Sequence, residues 1–350
     1  IATANGLIKG VSEREASQVA AIGLLLSGKL AEAYDAIRQH VVAFPRDALV
    51  AQTCSSVFGL IGFSGQPGRE AEMLAFNASL LPHFGEDWWA LSQYAFALCE
   101  TGNLSKADKL IDRALALNPR NAHGVHVRSH VSYELGETET GRSFLSEWMR
   151  DYNPAGVMFT HLNWHEALWA LEQGDITQMW AKVDAAVAPS AESGGPAINI
   201  LTDTASILHR ATMQGVDVGQ DRWASLSDYV LTAFPNTGNA FIDIHAALAH
   251  AMAGREAALA AIIEHPAGPA ADLVPDLARG FGAVAQQDWT AVVDYMTAAM
   301  SDLARIGGSR AQRDLVEQTL ITALIALNKK EEARVIANLR RPVLAGQFAA

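Results

Sequence analysis

The chain has 350 residues, half of them hydrophobic, and a formal charge of −12 at neutral pH. That is ample for a large core, yet no apolar run reaches the roughly 18 residues that a membrane span needs. Asp and Glu outnumber Lys and Arg by 38 to 26, which argues against nonspecific nucleic-acid binding, a property of clustered cations. Cys54 and Cys99 lie far apart and outside any CxxC pattern, so the sequence predicts no disulfide framework and a reducing, cytoplasmic setting. It opens at Ile1 with neither an initiator Met nor a basic-then-apolar leader, and the expectation is that it begins inside a longer gene product.

Taken in order, Ala-rich stretches with apolar residues three and four apart recur along the chain: VAAIGLLLSG, YAFALCETG, ALWALEQG, HAALAHAMAG and LITALIALN. Alternating runs of β-branched residues are absent, so the fold class is all-α. Several helices stop at glycine, which takes the left-handed conformation that turns the chain into a partner helix. Gly28, Gly65 and Gly102 are 37 apart, and Gly136, Gly174, Gly215 and Gly254 follow after 34, 38, 41 and 39. Pro45, Pro82 and Pro119 come 17 residues after the first three glycines, and Pro154 comes 18 after Gly136. Ala33 and Ala107 sit five residues past their glycines, where close helix packing wants a small side chain. Weaker turns follow near Gln287-Asp288 and at Asn328.

Each unit thus reads as a helix, a glycine turn, a second helix and a proline stop, a pattern that resembles the tetratricopeptide repeat. About eight such pairs are expected, stacked as an α-solenoid superhelix and forming one domain over residues 1–350. The Ser/Gly/Pro-rich segment APSAESGGPA (188–197) is expected to be an excursion between two units.

Histidine is the informative residue. His123, His126 and His130 lie 13, 10 and 6 residues before Gly136, and His161 and His165 lie 13 and 9 before Gly174. His209 and His245 hold related offsets before Gly215 and Gly254. Steps of three and four make one helical face, and equal offsets in stacked units line up as rungs. The expectation is a site in the concave groove, with His126, His130, His161, His165 and His245 as acid/base groups and Asp243 or Asp203 as orienting carboxylates. His123, Trp89, Trp164 and Asn163 would complete the lining. No resident cofactor is read from the sequence. HLNWHE is not the HExxH order, though the i and i+4 pairs His126/His130 and His161/His165 are the ligands one metal would use. No nucleophile elbow, Walker loop or GxGxxG fingerprint occurs.

The strings AHGVHVRSHVSYELGE, HLNWHEALWALEQGD, TDTASILHRATMQGVDVGQDRW, AFIDIHAALAHAMAGR and RIGGSRAQRDLVEQTL resemble, in order, the tetratricopeptide repeat protein 38 family. That resemblance places characteristic residues at His126, His130, His161, Trp164, His165, Asp203, Phe241, Asp243, His245, Ser309, Gln312, Arg313 and Asp314. It implies a fold rather than a settled reaction. Arg310 departs from it, standing where GGSHAQRD would place His. Read physically, Ser309 is an N-cap, and with Arg310 and Arg313 nearby the helix start is either an anion-friendly spot or a structural capping turn. Two functions follow. One is a small-molecule binder or an enzyme of hydrolase or lyase type acting on a polar or anionic substrate. The other is a tetratricopeptide scaffold gripping a peptide or protein partner in the same groove. Neither nucleic acid nor membrane is an expected partner, and the oligomeric state leaves no signal.

Overall fold

The computed structural model describes residues 2–7, 9–192 and 194–340. Among them there are helices and turns and no strands, and no helix is long and apolar enough to cross a membrane. The chain divides into two compact units, Ile1–Gly124 and Val125–Ala350.

Unit 1 runs through α1 (Ala2–Leu7), α2 (Glu13–Leu26), α3 (Leu30–Ala43), α4 (Ala48–Ser55), α5 (Arg69–Phe84), α6 (Trp88–Glu100) and α7 (Leu104–Leu117). From α2 onward each packs on the next. Local chemistry sets the boundaries: Ser12 and Glu15 form a reciprocal capping box at α2, and the Asp47 and Asp87 carboxylates cap α4 and α6. Ala33 and Ala107 are fully buried, as close helix approach past the turn requires.

Two details depart from the repeat pattern. The helix expected before Gly65 ends at Ser55, and turns occupy 56–64. The cause is VFGLIGFSG: a Cβ at Gly62 would lie 2.0 Å from the Val57 carbonyl oxygen, so that tight loop replaces the missing helical turns. Pro82 does not stop its helix but sits in the last turn of α5.

Helix α8 (Ala122–Leu135) leads into unit 2. There follow α9 (Thr138–Met149), α10 (Phe159–Glu172), α11 (Ile176–Lys182) with a π-helical extension over Val183–Val187, α12 (Ala197–Met213), α13 (Gln220–Ala233), α14 (Ala240–Met252) and α15 (Glu256–Glu264). A 3₁₀ turn at Ala271–Leu273 precedes α16 (Val274–Ala285) and α17 (Trp289–Met300), and another at Leu303–Ile306 precedes α18 (Arg310–Ala326) and α19 (Lys330–Arg340). The described residues of 188–196 carry no helix, in line with an excursion.

Every turn glycine counted from the sequence, from Gly28 to Gly254, has φ between 68° and 80°. Gln287 and Asn328 take the same conformation at the two weaker turns, a strained choice that Asn tolerates better than most residues. In unit 2 the first helices of successive pairs stack, α10 on α12, α12 on α14 and α14 on α16. Their inner faces bury Trp164, Leu201, Leu208, Ile244, Leu248, Leu277 and Phe281 in one apolar core. The last pair breaks the sequence of neighbours. Helix α18 packs on α17 and α19 but also on α12, and its Leu315, Val316, Leu320 and Ile321 join that core.

Candidate functional site

Helix α8 brings His126 and His130 onto one face, and α10 does the same with His161 and His165, because four residues make slightly more than one turn. The two faces meet. His126 Nε2 lies 2.8 Å from His130 Nε2 and 3.1 Å from His161 Nε2. One ring nitrogen from each of the four histidines can be chosen so that all lie within 4.8 Å of one another. The rings pack mostly edge to face, with centroids 4.4 Å apart for His126–His130 and 4.7 Å for His130–His165. Exposure is 6% for His126, 0% for His130, 5% for His161 and 1% for His165, so the group is dry.

Asp203 of α12 anchors the cluster. Its Oδ2 is 2.8 Å from His161 Nδ1 and receives a 3.3 Å hydrogen bond from Asn199 Nδ2, one turn earlier on the same helix. A carboxylate only accepts, so Nδ1 of His161 carries the proton and its Nε2 presents a lone pair to the other rings. Trp164 stacks on His161 at a centroid distance of 5.0 Å and an angle of 16°, and is wholly buried. It forms one wall of the site and part of the core at once. Burial, then the charges of His130 and His161, hold His165 well below the ordinary imidazole range, and its Nε2 is buried with no hydrogen-bond partner.

Other candidates go elsewhere. Asn163 donates to the Phe159 carbonyl within its own helix. In unit 1, His123 sets its ring edge-on to Phe96, and Trp89 packs against Phe84 at the start of α6. His245 uses Nδ1 on the Phe241 carbonyl at 2.7 Å, and burial pushes it down to about 4. It is not one of the four converging rings. Asp243 does not orient it: the carboxylate accepts the Gly238 N–H at 3.1 Å, because residues two apart on a helix diverge. Asp243 instead lines a separate cavity of about 240 Å³ with Phe234, Asn236, His250 and His265, where burial raises it to about 6. Phe241 is buried against Gly308 and edge-on to His245.

The RIGGSRAQRD segment closes on itself. Ser309 caps α18, and the Gln312 side chain returns to the Ser309 N–H in a full capping box. Arg313 donates to the Gly308 carbonyl, and Arg310 lies 4.0 Å from Glu134. Those bonds form a capping turn at the start of α18. His209 leaves the row because its Nε2 bonds Thr319 of α18 at 2.9 Å, a partner that repeat offsets do not reveal. Nor do they reveal Arg210, 5% exposed, which reaches Ser206, Gln318, the Ala311 carbonyl and Tyr133. Tyr133 in turn donates to Asp314 at 3.2 Å. Asn199 had a readable signal, standing four residues before Asp203. Arg210 had none short of knowing where α18 packs. No protein-family model matches this chain, so the site is defined by its own geometry.

Proposed function

We propose that the chain is a helical-repeat protein of tetratricopeptide type, each unit built from stacked helix pairs, and that it belongs with the tetratricopeptide repeat protein 38 family. Its function resides in the buried histidine centre of unit 2, which takes a small polar or anionic ligand and supplies imidazole acid/base chemistry of hydrolase or lyase type. The cytoplasm is the proposed compartment, since a chain with only two cysteines, outside any CxxC pattern, carries no disulfide framework.

The observation that carries this reading is the convergence of four imidazoles from two helices, anchored by Asp203, in an interior exposed by 6% at most. Polar rings gathered in a buried core cost stability unless their hydrogen-bonding groups are satisfied, and a ligand can supply what they lack. Their arrangement assigns roles as well. Asp203 fixes the tautomer of His161 and leaves its Nε2 as the acceptor a base needs, while burial keeps His165 uncharged at neutral pH. The same burial weighs against a peptide clamp at these residues, since a clamp must present an exposed row of side chains to an extended partner.

A thermal-shift screen of small polar and anionic metabolites, run on the full chain and repeated on His165→Ala, tests it. A ligand-dependent rise in Tm that the variant loses is the expected result. A folded variant that responds as the parent does, or a parent that responds to nothing, removes the proposal.

A further inference from the structure

We infer that His126, His130, His161 and His165 together bind one divalent first-row transition-metal ion. This rests on the reading of the cluster as the functional centre of unit 2, and it replaces imidazole acid/base chemistry there, since a ring that ligates an ion gives up its lone pair.

The argument is one of protons and lone pairs. A neutral imidazole carries one N–H and one in-plane lone pair. His161 spends its proton on Asp203, 2.8 Å away, so its Nε2 faces inward as an acceptor. His126 Nε2 has two ring nitrogens beside it, at 2.8 and 3.1 Å. It holds either a proton or a lone pair in a single direction, so only one of those contacts is a good hydrogen bond. His165 adds a fourth ring whose Nε2 is buried with no partner. Charging the rings to supply protons would place cations side by side in a dry core, at high cost. One ion supplies what the protons do not, because it accepts a lone pair from each ring at once.

The geometry fits such an ion. With metal–nitrogen bonds of about 2.0–2.1 Å, tetrahedral ligands stand about 3.3–3.4 Å from one another. The nitrogens here lie between 2.8 Å and at most 4.8 Å apart, so side-chain shifts of about 1 Å complete the shell. The outer shell is built as well. Asp203 holds His161 through the nitrogen opposite the metal-facing one, and Asn199 holds Asp203. A carboxylate behind a ligating imidazole fixes the ring and raises its basicity. The inner set contains no oxygen and no sulfur. That excludes the oxygen-seeking Mg²⁺ and Ca²⁺ and leaves the zinc, cobalt, nickel, copper and ferrous ions.

The test uses the full chain, stripped with a chelator, loaded separately with Co²⁺, Zn²⁺ or Mg²⁺ and desalted. The result expected is one equivalent of Co²⁺ or Zn²⁺ retained per chain, none of Mg²⁺, and a higher Tm in the loaded forms. Cobalt should show the visible bands of a nitrogen-ligated ion. His165→Ala should lose retention. Asp203→Asn leaves all four ligands in place, and it should keep the ion with an affinity weakened about 10- to 100-fold, which covers the case that His165→Ala does not fold. A parent chain that retains neither ion overturns the inference, as does a folded His165→Ala that retains as much as the parent. A metabolite response without metal retention sinks the metal and spares the functional reading, whereas retention without any metabolite response does the reverse.

Discussion

Mild acid should destabilise the chain through buried histidines that unit 2 keeps neutral, three of them outside the four-ring cluster. His209, His245 and His250 are 0%, 1% and 3% exposed, and they fall from 6.5 to about 3, about 4 and about 4. Burial is the largest cause in each. Arg210 adds to it at His209 and His245 and Arg255 at His250, while the Phe241 carbonyl on His245 acts the other way. The unfolded chain takes up each proton at the ordinary value and the folded chain does not. Stability is therefore intact above about 6.5 and lost as the pH falls toward about 4. Between about pH 7 and about pH 5 the linkage relation gives about 2 kcal/mol per ring, roughly 6 kcal/mol in all. Asp243 opposes them. Raised from 3.8 to about 6, it gains its proton first in the folded state and returns about 1 kcal/mol over the same interval. The net loss from these four groups is on the order of 5 kcal/mol, a large part of an ordinary domain stability of about 5–15 kcal/mol. Asp47, Asp175 and Asp272 are lowered and titrate below this window. Urea unfolding of chelator-stripped protein across that range, with NMR titration of the imidazoles, provides the assay. Stability constant to within about 1 kcal/mol, or ring midpoints near 6.5, would refute the reasoning.

Two substitutions probe the packing behind the site. Gly308 has φ of +71°, and a Cβ there would stand 2.4 Å from the Phe241 ring, so Gly308→Ala combines left-handed strain with overpacking and should cost about 2–4 kcal/mol in urea unfolding; a cost below about 1 kcal/mol would show that the Phe241 ring moves freely. Arg210→Met removes the charged hydrogen bonds to the Ala311 carbonyl and the Gln318 amide oxygen and should cost about 3 kcal/mol. It also removes a cation that lowers His209 and His245, so their NMR midpoints should move up, and unchanged midpoints would mean that burial alone sets them.

Periodic features were legible in the sequence because they are local. Counting between glycines located the left-handed turns, and two missing glycines were still visible as Gln287 and Asn328. Counting back from Gly136 and Gly174 put five histidines on facing stripes, and four of them, His126, His130, His161 and His165, converge. The method failed where equal offsets meet unequal surroundings. His209 and His245 occupy similar repeat positions, yet Thr319 takes the first and the Phe241 carbonyl the second. Whether a rung faces a cavity or another helix depends on α18, whose place against α12 has no trace in the spacing. Likewise the periodic pattern across 56–64 did not register that Gly59 and Gly62 permit a carbonyl approach that closes a loop.

The inward position of α18 has a consequence for synthesis. An ordinary repeat array grows stable one neighbour at a time, so its early members can settle while later ones are still being made. Here Tyr133 waits for Asp314, 181 residues further on, and His209 waits for Thr319 across 110. His209 and Arg210 of α12 therefore complete their hydrogen bonding only once α18 has left the ribosome. Until then that part of α12 is an unfinished surface, and closing it over such separations makes assembly of the unit slower than its helical content suggests.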